Sequence, residues 1–204
     1  MIKPSSIVYA LHGNLYLNMT SRCTLGCAFC PKFKGIRVIQ GYALHLRPIE
    51  EPSVTQILAA VDDPRVYKEI VFCGLGEPTL RLYDVLEIGH ALRRQGGYVR
   101  LNTDGLANLV YDRDVTPDLE DNIDALSVSL NAQDEATYNR LCLPTMPGSY
   151  QAMLDFTQRA HDFVPDIRVT AIAGLEGVDI PACERIAQQM GVRFFKRSLD
   201  DIMN

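Results

Sequence analysis

Residues 15–30 read LYLNMTSRCTLGCAFC: a short apolar run, a polar break, then three cysteines within eight residues. Residues 15–19 predict a β-strand, so the cysteines follow its carboxyl end. Cys23 and Cys27 are four apart, and Cys27 and Cys30 are three apart. In a chain that is not a small secreted one, such a cluster points to a metal centre rather than to cross-links. Four thiolates ordinarily complete a [4Fe–4S] cube, and a structural zinc site also takes four nitrogen or sulfur ligands. Three thiols leave one position open, where a substrate can bind. His12, His45, His90 and His161 have no paired spacing with the cysteines, and Cys73, Cys142 and Cys183 are widely scattered.

Five more strands are predicted at residues 69–73, 98–102, 125–130, 167–172 and 192–195, each bounded by Gly, Asp, Asn or Pro. Helical patterns separate them. Ser53 reads as an N-cap with Ile57, Leu58 and Val61 on one face, and Tyr83, Leu86, Ile88 and Leu92 mark a second helix ending at Gly96 and Gly97. Residues 151–163 carry Met153, Leu154, Phe156 and Ala160. Residues 181–190 have Pro181 in the first turn and Gly191 just past the end. Strand–helix alternation implies a parallel sheet with right-handed crossovers. Six strands are too few for the eight-stranded closed barrel, so the expected fold is α/β, an open or partial (β/α)6 barrel in one domain over residues 1–204. Ligands gather at the carboxyl ends of such strands.

Composition narrows the function classes. The 204 residues are 47% hydrophobic and 22% charged with net charge −5, which argues for a globular protein and against a broad nucleic-acid footprint. No apolar run approaches the roughly 20 residues of a membrane span. The first residues lack the apolar core and cleavage site of a signal peptide, so a cytoplasmic location is expected. Lys32, Lys34 and Arg37 form a local basic cluster, read as a solvated loop or as a docking patch for an acidic electron carrier.

The motif C-x3-C-x2-C after a first strand, with Phe29 just before the third cysteine, resembles the signature of radical S-adenosylmethionine (radical SAM) enzymes. That resemblance implies a radical SAM core in which Cys23, Cys27 and Cys30 hold a [4Fe–4S] cluster. "CGLGEPTL", residues 73–80, looks like the family's Gly-Gly-Glu motif, in which Gly74, Gly76 and Glu77 would hold the cofactor's amino group. "LNTDG", residues 101–105, resembles the Asn-Thr-Asn-Gly region, with Asn102 a candidate contact and Asp104 in place of the second Asn. "SVSLNAQD", residues 127–134, resembles the element that contacts ribose and carboxylate, which makes Ser129 and Asn131 candidates. Alternation would send residues 127, 129 and 131 to one side. "AIAGLE", residues 171–176, resembles the segment bordering adenine and puts Gly174 beside Phe29 among the cofactor residues. From residue 15 to about 197 the chain also looks like the small TatD-associated radical SAM proteins, in "SLNAQDEATYNRLCLP" and "GVDIPACERIAQQMGVRFFKR".

The resemblance implies reductive cleavage of S-adenosyl-L-methionine to a 5′-deoxyadenosyl radical that abstracts hydrogen from an unidentified substrate. The electron would come from a donor such as flavodoxin or ferredoxin. Alternatives are a radical activase or modifier of a protein or nucleic-acid partner, and a non-catalytic iron–sulfur or zinc module. Cys142, expected in a loop after the fourth strand, is a weak candidate for catalysis. Arg140 could meet an anionic substrate or pair with Asp134 or Glu135. Arg37, Tyr42 and His45 lie in a long connection able to cover the site. Cys73 and Cys183 are assigned to packing. With no second cysteine-rich segment, no auxiliary cluster is expected.

Overall fold

A computed structural model describes residues 6–199. Its main sheet begins with a hairpin, β1 (Val8–Leu11) and β2 (Asn14–Leu17). The loop between them is His12-Gly13, both at positive φ, the geometry whose twist suits a two-residue hairpin. A second small hairpin, β3 (Val38–Ile39) and β4 (Tyr42–Ala43), turns in the same way through Gln40-Gly41. The chain then alternates: α1 (Val54–Ala59), β5 (Ile70–Phe72), α2 (Leu82–Arg94), β6 (Val99–Thr103), α3 (Ala107–Val110), β7 (Ala125–Ser129), α4 (Glu135–Cys142), α5 (Ser149–Arg159), β8 (Asp166–Ile172), α6 (Ile180–Gln189) and β9 (Arg193–Arg197).

The sheet order is β1-β2-β5-β6-β7-β8-β9. β1 runs antiparallel to β2, and every later neighbour pair is parallel. The six parallel strands are the six the sequence predicts, in chain order. β1 and β9 lie at opposite edges and do not pair, so the barrel is open as expected.

Local signals explain the helices. Ser53 accepts from the Gln56 N–H (3.2 Å) while the Gln56 side chain accepts from the Ser53 N–H (2.9 Å), a reciprocal cap that starts α1. In α2 the buried face is Leu82, Val85, Ile88 and Leu92, whereas Tyr83 is exposed, so the stripe runs in a different phase from the expected one. α4 replaces an expected loop. Its start is a cap, with Asp134 accepting from the Thr137 N–H at 2.8 Å, and Cys142 is its last residue. Among the described residues no helix is long and apolar enough to cross a membrane.

Two apolar clusters cover the two faces of the sheet. The larger joins Ile70, Phe72, Leu101, Leu126 and Val128 to the helices. The smaller lies on the concave face, where Tyr9, Leu44 and Leu75 pack with Tyr16, Ile39 and Tyr42. The connection carrying Arg37, Tyr42 and His45 therefore caps one end of that face. Asn18 Nδ2 donates to the Leu44 carbonyl (2.9 Å), and the Tyr42 ring lies 5.0 Å from that of Tyr9.

Candidate active site at the carboxyl rim of the sheet

The three cysteines occupy the loop that leaves β2, and two separate segments hold its backbone. From the first side comes the turn after β5. The Glu77 N–H donates to the Arg22 carbonyl at 2.7 Å. A Cβ on Gly76 would stand 2.5 Å from the Thr20 carbonyl oxygen and closer still to that of Arg22. Gly74, at φ 156°, lies similarly tight against Asn18 Oδ1. Glycine is required at 76 because backbone meets backbone, and at 74 because the Asn18 side chain fills the place of a Cβ. Gly76→Ala is expected to lower stability by about 3 kcal/mol and to reduce the iron retained after anaerobic reconstitution, read by urea unfolding and metal analysis.

From the other side comes the end of α4. Its last carbonyls have no partners within the helix, and the cysteine loop supplies them. Ala28 N–H donates to the Leu141 carbonyl (2.9 Å), and Gly26 N–H to those of Cys142 (3.0 Å) and Leu143 (3.2 Å). Thr145 donates its N–H back to the Thr24 carbonyl at 3.2 Å, and Leu25 bridges antiparallel to Pro144. Two residues along from that bridge, Cys27 lies opposite Cys142. The two thiols are neighbours, and Asn131 Nδ2 donates to Cys142 Sγ at 3.4 Å. A fourth thiol thus adjoins the triad, which the linear spacing hides.

All six cysteines are free. The Cys142 contact and then burial push the Cys27 thiol up, and burial leads for Cys23 and Cys30. A metal must therefore displace protons to bind these sulfurs. Among the described residues no three acidic, histidine or cysteine side chains converge on one point, as a single tetrahedral ion would need. A cube asks something different, because each thiolate takes a separate iron. Among the buried polar atoms without a partner are the hydroxyl of Tyr138, one helical turn before Cys142, and Asn102 Oδ1 on β6. Three thiols on one pinned loop, with an unused donor on the adjoining helix and an unused acceptor on the adjoining strand, fit a cluster and a polar cofactor.

Beside the loop sits a pair of buried carboxyls. Glu77, 3% exposed, accepts from Thr79 N–H (3.0 Å), Thr79 Oγ1 (2.8 Å), Thr103 Oγ1 (2.8 Å) and Asp104 N–H (2.7 Å). Asp104 accepts from the Thr24 hydroxyl and from Leu106 N–H (3.0 Å), which ties the end of β6 to the cysteine loop. Burial raises Glu77 first and the Asp104 charge raises it further. Burial also leads the rise at Asp104. Both shifts are upward, so the pair's stabilising contribution is fully present below the ordinary carboxylate range. It is lost as pH rises through the raised values. The urea midpoint of the metal-free chain is expected to fall from mildly acid to mildly alkaline pH. Asp104→Asn, by removing one of the two facing charges, should flatten that fall.

The remaining candidates lie on several separate elements. Phe29 packs into the helix-side core beneath the loop. Ser129 ends β7 on the concave face, half-buried. The strand stops there, so alternation does not place Asn131. That residue takes φ 60° and turns its amide to Cys142. Gly174, at φ 88°, lies in the turn after β8 with open space where a Cβ would be. Arg140 pairs with neither Asp134 nor Glu135; its guanidinium donates to the Glu176 carbonyl at 3.0 Å. Cys183 is core, as expected, while Cys73 is half-buried.

The fold and the motifs have relatives. A profile of the Radical SAM superfamily matches residues 17–190. The dual-specificity RNA methyltransferase RlmN of Pseudomonas fluorescens (strain SBW25) is 27% identical over 175 residues, covering 78% of this chain and 42% of that protein. A probable RlmN of Synechococcus sp. (strain ATCC 27144 / PCC 6301 / SAUG 1402/1) is 30% identical over 150 residues, 70% of this chain and 40% of its own length. The chain thus spans about two fifths of these curated relatives. Among solved structures, Streptococcus suis SuiB bound to S-adenosylmethionine aligns with TM-score 0.62 and 15% identity over 90% of this chain and 38% of that one. TYW1 with a lysine-pyruvate adduct aligns with TM-score 0.61 and 17% identity over 92% of this chain and 65% of that one. These likenesses agree with the open parallel sheet, and the profile covers the cysteine loop and the strands that follow it as far as β8. The chain belongs to the radical SAM superfamily, whose members use a [4Fe–4S] cluster and S-adenosylmethionine.

Proposed function

We propose that the chain cleaves S-adenosylmethionine reductively and uses the product radical to take hydrogen from a substrate on the concave face. The observation that carries this reading is the three-thiol loop, clamped between the Gly76–Glu77 turn and the end of α4 at the rim of six parallel strands. When bound, the cluster and cofactor supply the electron transfer and the 5′-deoxyadenosyl radical; the protein supplies position and exclusion of water. Cys23, Cys27 and Cys30 would each hold one iron and leave the fourth for the cofactor. The carboxyl pair of Glu77 and Asp104 would take the cofactor's ammonium. Glu77 Oε2 accepts one hydrogen bond where Oε1 accepts three, so it has room for a charge-assisted partner. Ammonium binding beside the pair favours its ionised form, so cofactor uptake would release a proton. Ser129, Asn131 and Gly174 would border the nucleoside, and the exposed Lys34 and Arg37 would receive an acidic one-electron donor such as flavodoxin or ferredoxin. Within the superfamily we place the chain with the TatD-associated proteins, on its segments 129–144 and 177–197.

One observation favours a second reading. Cys142 adjoins Cys27, so four thiolates could close the centre into an electron-transfer or structural site. Anaerobic reconstitution, then dithionite and cofactor, separates the two. The first reading expects 5′-deoxyadenosine from the wild type, and Cys142→Ala should keep both its iron and product formation. A full cluster with no 5′-deoxyadenosine, together with iron loss in Cys142→Ala, would establish the closed centre instead.

A further inference from the structure

The concave face carries a cation that no carboxylate neutralises. Ile167 and Val169 of β8 pack on the helix side, so Arg168 between them faces the opposite way. The strands are in register such that Asn102, Ser127, Arg168 and Arg193 form one row across β6 to β9. The row nearer the rim pairs Ser129 with Thr170. The rows are two residues apart along each strand, so Arg168 starts about 7 Å deeper than Ser129.

Arg168 is half-buried. Its Nε donates to Ser127 Oγ at 3.2 Å, and its guanidinium lies 5.4 Å from the Phe195 ring centroid. Among the described residues it has no ion-pair partner within 4.0 Å. The nearby acids are already engaged: Glu69 pairs with Arg100 (2.8 Å), and Asp166 pairs with Arg193. Three arginines therefore face two carboxylates, leaving one positive charge over. One further polar atom of this wall is buried without a partner: Arg100, 6% exposed, keeps a free Nε donor. An excess cation and an unused donor on one concave wall are a recognition set for a small oxyanion.

We propose that Arg168, with Ser127 and the unused Nε of Arg100, forms the subsite for an oxyanion group, carboxylate or phosphate, of the small molecule on which the chain acts. This rests on the reading of the rim as the reaction site. Anchoring the anion deep in the concave face turns the rest of the molecule toward the cysteine loop. Burial, and then the Arg100 charge, lower the Arg168 guanidinium from its usual value, so an incoming anion relieves a cost already present.

The test is calorimetric binding of two probes, inorganic phosphate and succinate, to the reconstituted full chain. The wild type is expected to bind one of them, and which one names the oxyanion. Arg168→Gln should weaken that binding at least tenfold, while Arg168→Lys, which keeps the charge, should stay within fivefold. Arg94→Gln, exposed in the last turn of α2, should leave probe binding unchanged. S-adenosylmethionine affinity should stay within twofold in Arg168→Gln. The proposal is overturned if the wild type binds neither probe, or if Gln and Lys variants lose binding equally. It is also overturned if Arg168→Gln loses cofactor affinity to the same degree, which would place the arginine in the cofactor site. Anion binding requires no cleavage, so retained binding without any 5′-deoxyadenosine would sink the reaction and leave the subsite standing.

Discussion

Cys27→Ala is expected to abolish iron retention and, with it, all formation of 5′-deoxyadenosine. Cys27 is the middle thiol of the three, and the backbone on either side of it is tied to the end of α4. The neighbours on both sides, Gly26 and Ala28, donate their N–H groups to the end of α4. Two thiols would be too few to anchor a cube that ordinarily has four protein ligands and, on the proposed assignment, has three here. Iron should fall from about four per chain to background after anaerobic reconstitution. Cys183→Ala is the matching control. That thiol is fully buried in α6 among apolar neighbours, so the variant should lose some stability and no iron. Wild-type iron content in Cys27→Ala would refute the ligand assignment.

Glu77→Ala should produce the largest change in stability and the steepest fall in cofactor affinity. Removing the carboxylate leaves Thr79 N–H, Thr103 Oγ1 and Asp104 N–H buried without this acceptor. Each such orphan costs about 1–3 kcal/mol, so a loss of about 3 kcal/mol or more is expected by urea unfolding. Cofactor affinity should fall further than iron content does. Glu77→Gln refines the test, because its amide keeps one oxygen acceptor and nearly the same shape. Most of the stability should return with it, while cofactor affinity stays low for want of charge. Parallel loss of iron and cofactor in both variants would mean that Glu77 only holds the turn against the cysteine loop.

The legible part of the fold was the part written in local pattern. Six β-rich runs punctuated by Gly, Asp, Asn and Pro gave six parallel strands in the right order, and the Ser53 cap marked α1 correctly. The two hairpins escaped because His12-Gly13 and Gln40-Gly41 lack the Asn-Gly or Asp-Gly signal, although both supply the positive φ that the turn demands. α4 escaped because it is short and lies among polar residues; Asp134 three positions before Thr137 was the cap signal available.

Within the site, the triad and the glycine turn were readable from spacing and residue type. What was hidden depends on residues far apart in the chain. Cys142 looked scattered because its approach to Cys27 is set by the register of Leu25 against Pro144, which no linear spacing encodes. Arg168 looked like one polar position in a strand until pairing placed it beside Ser127 and showed its acidic neighbours already occupied. Glu77 was named for a charge it offers to a ligand, and the four donors it satisfies within the protein became visible only in three dimensions.

The strap from α4 to the cysteine loop also dictates a timetable for biosynthesis. A ribosome that has delivered only the first 130 residues has released Cys23, Cys27 and Cys30, yet the carbonyls that shape their loop have not been made. The prosthetic group can be installed in its final geometry only once translation has passed Pro144, so maturation of this centre waits on a segment more than a hundred residues downstream of its thiols.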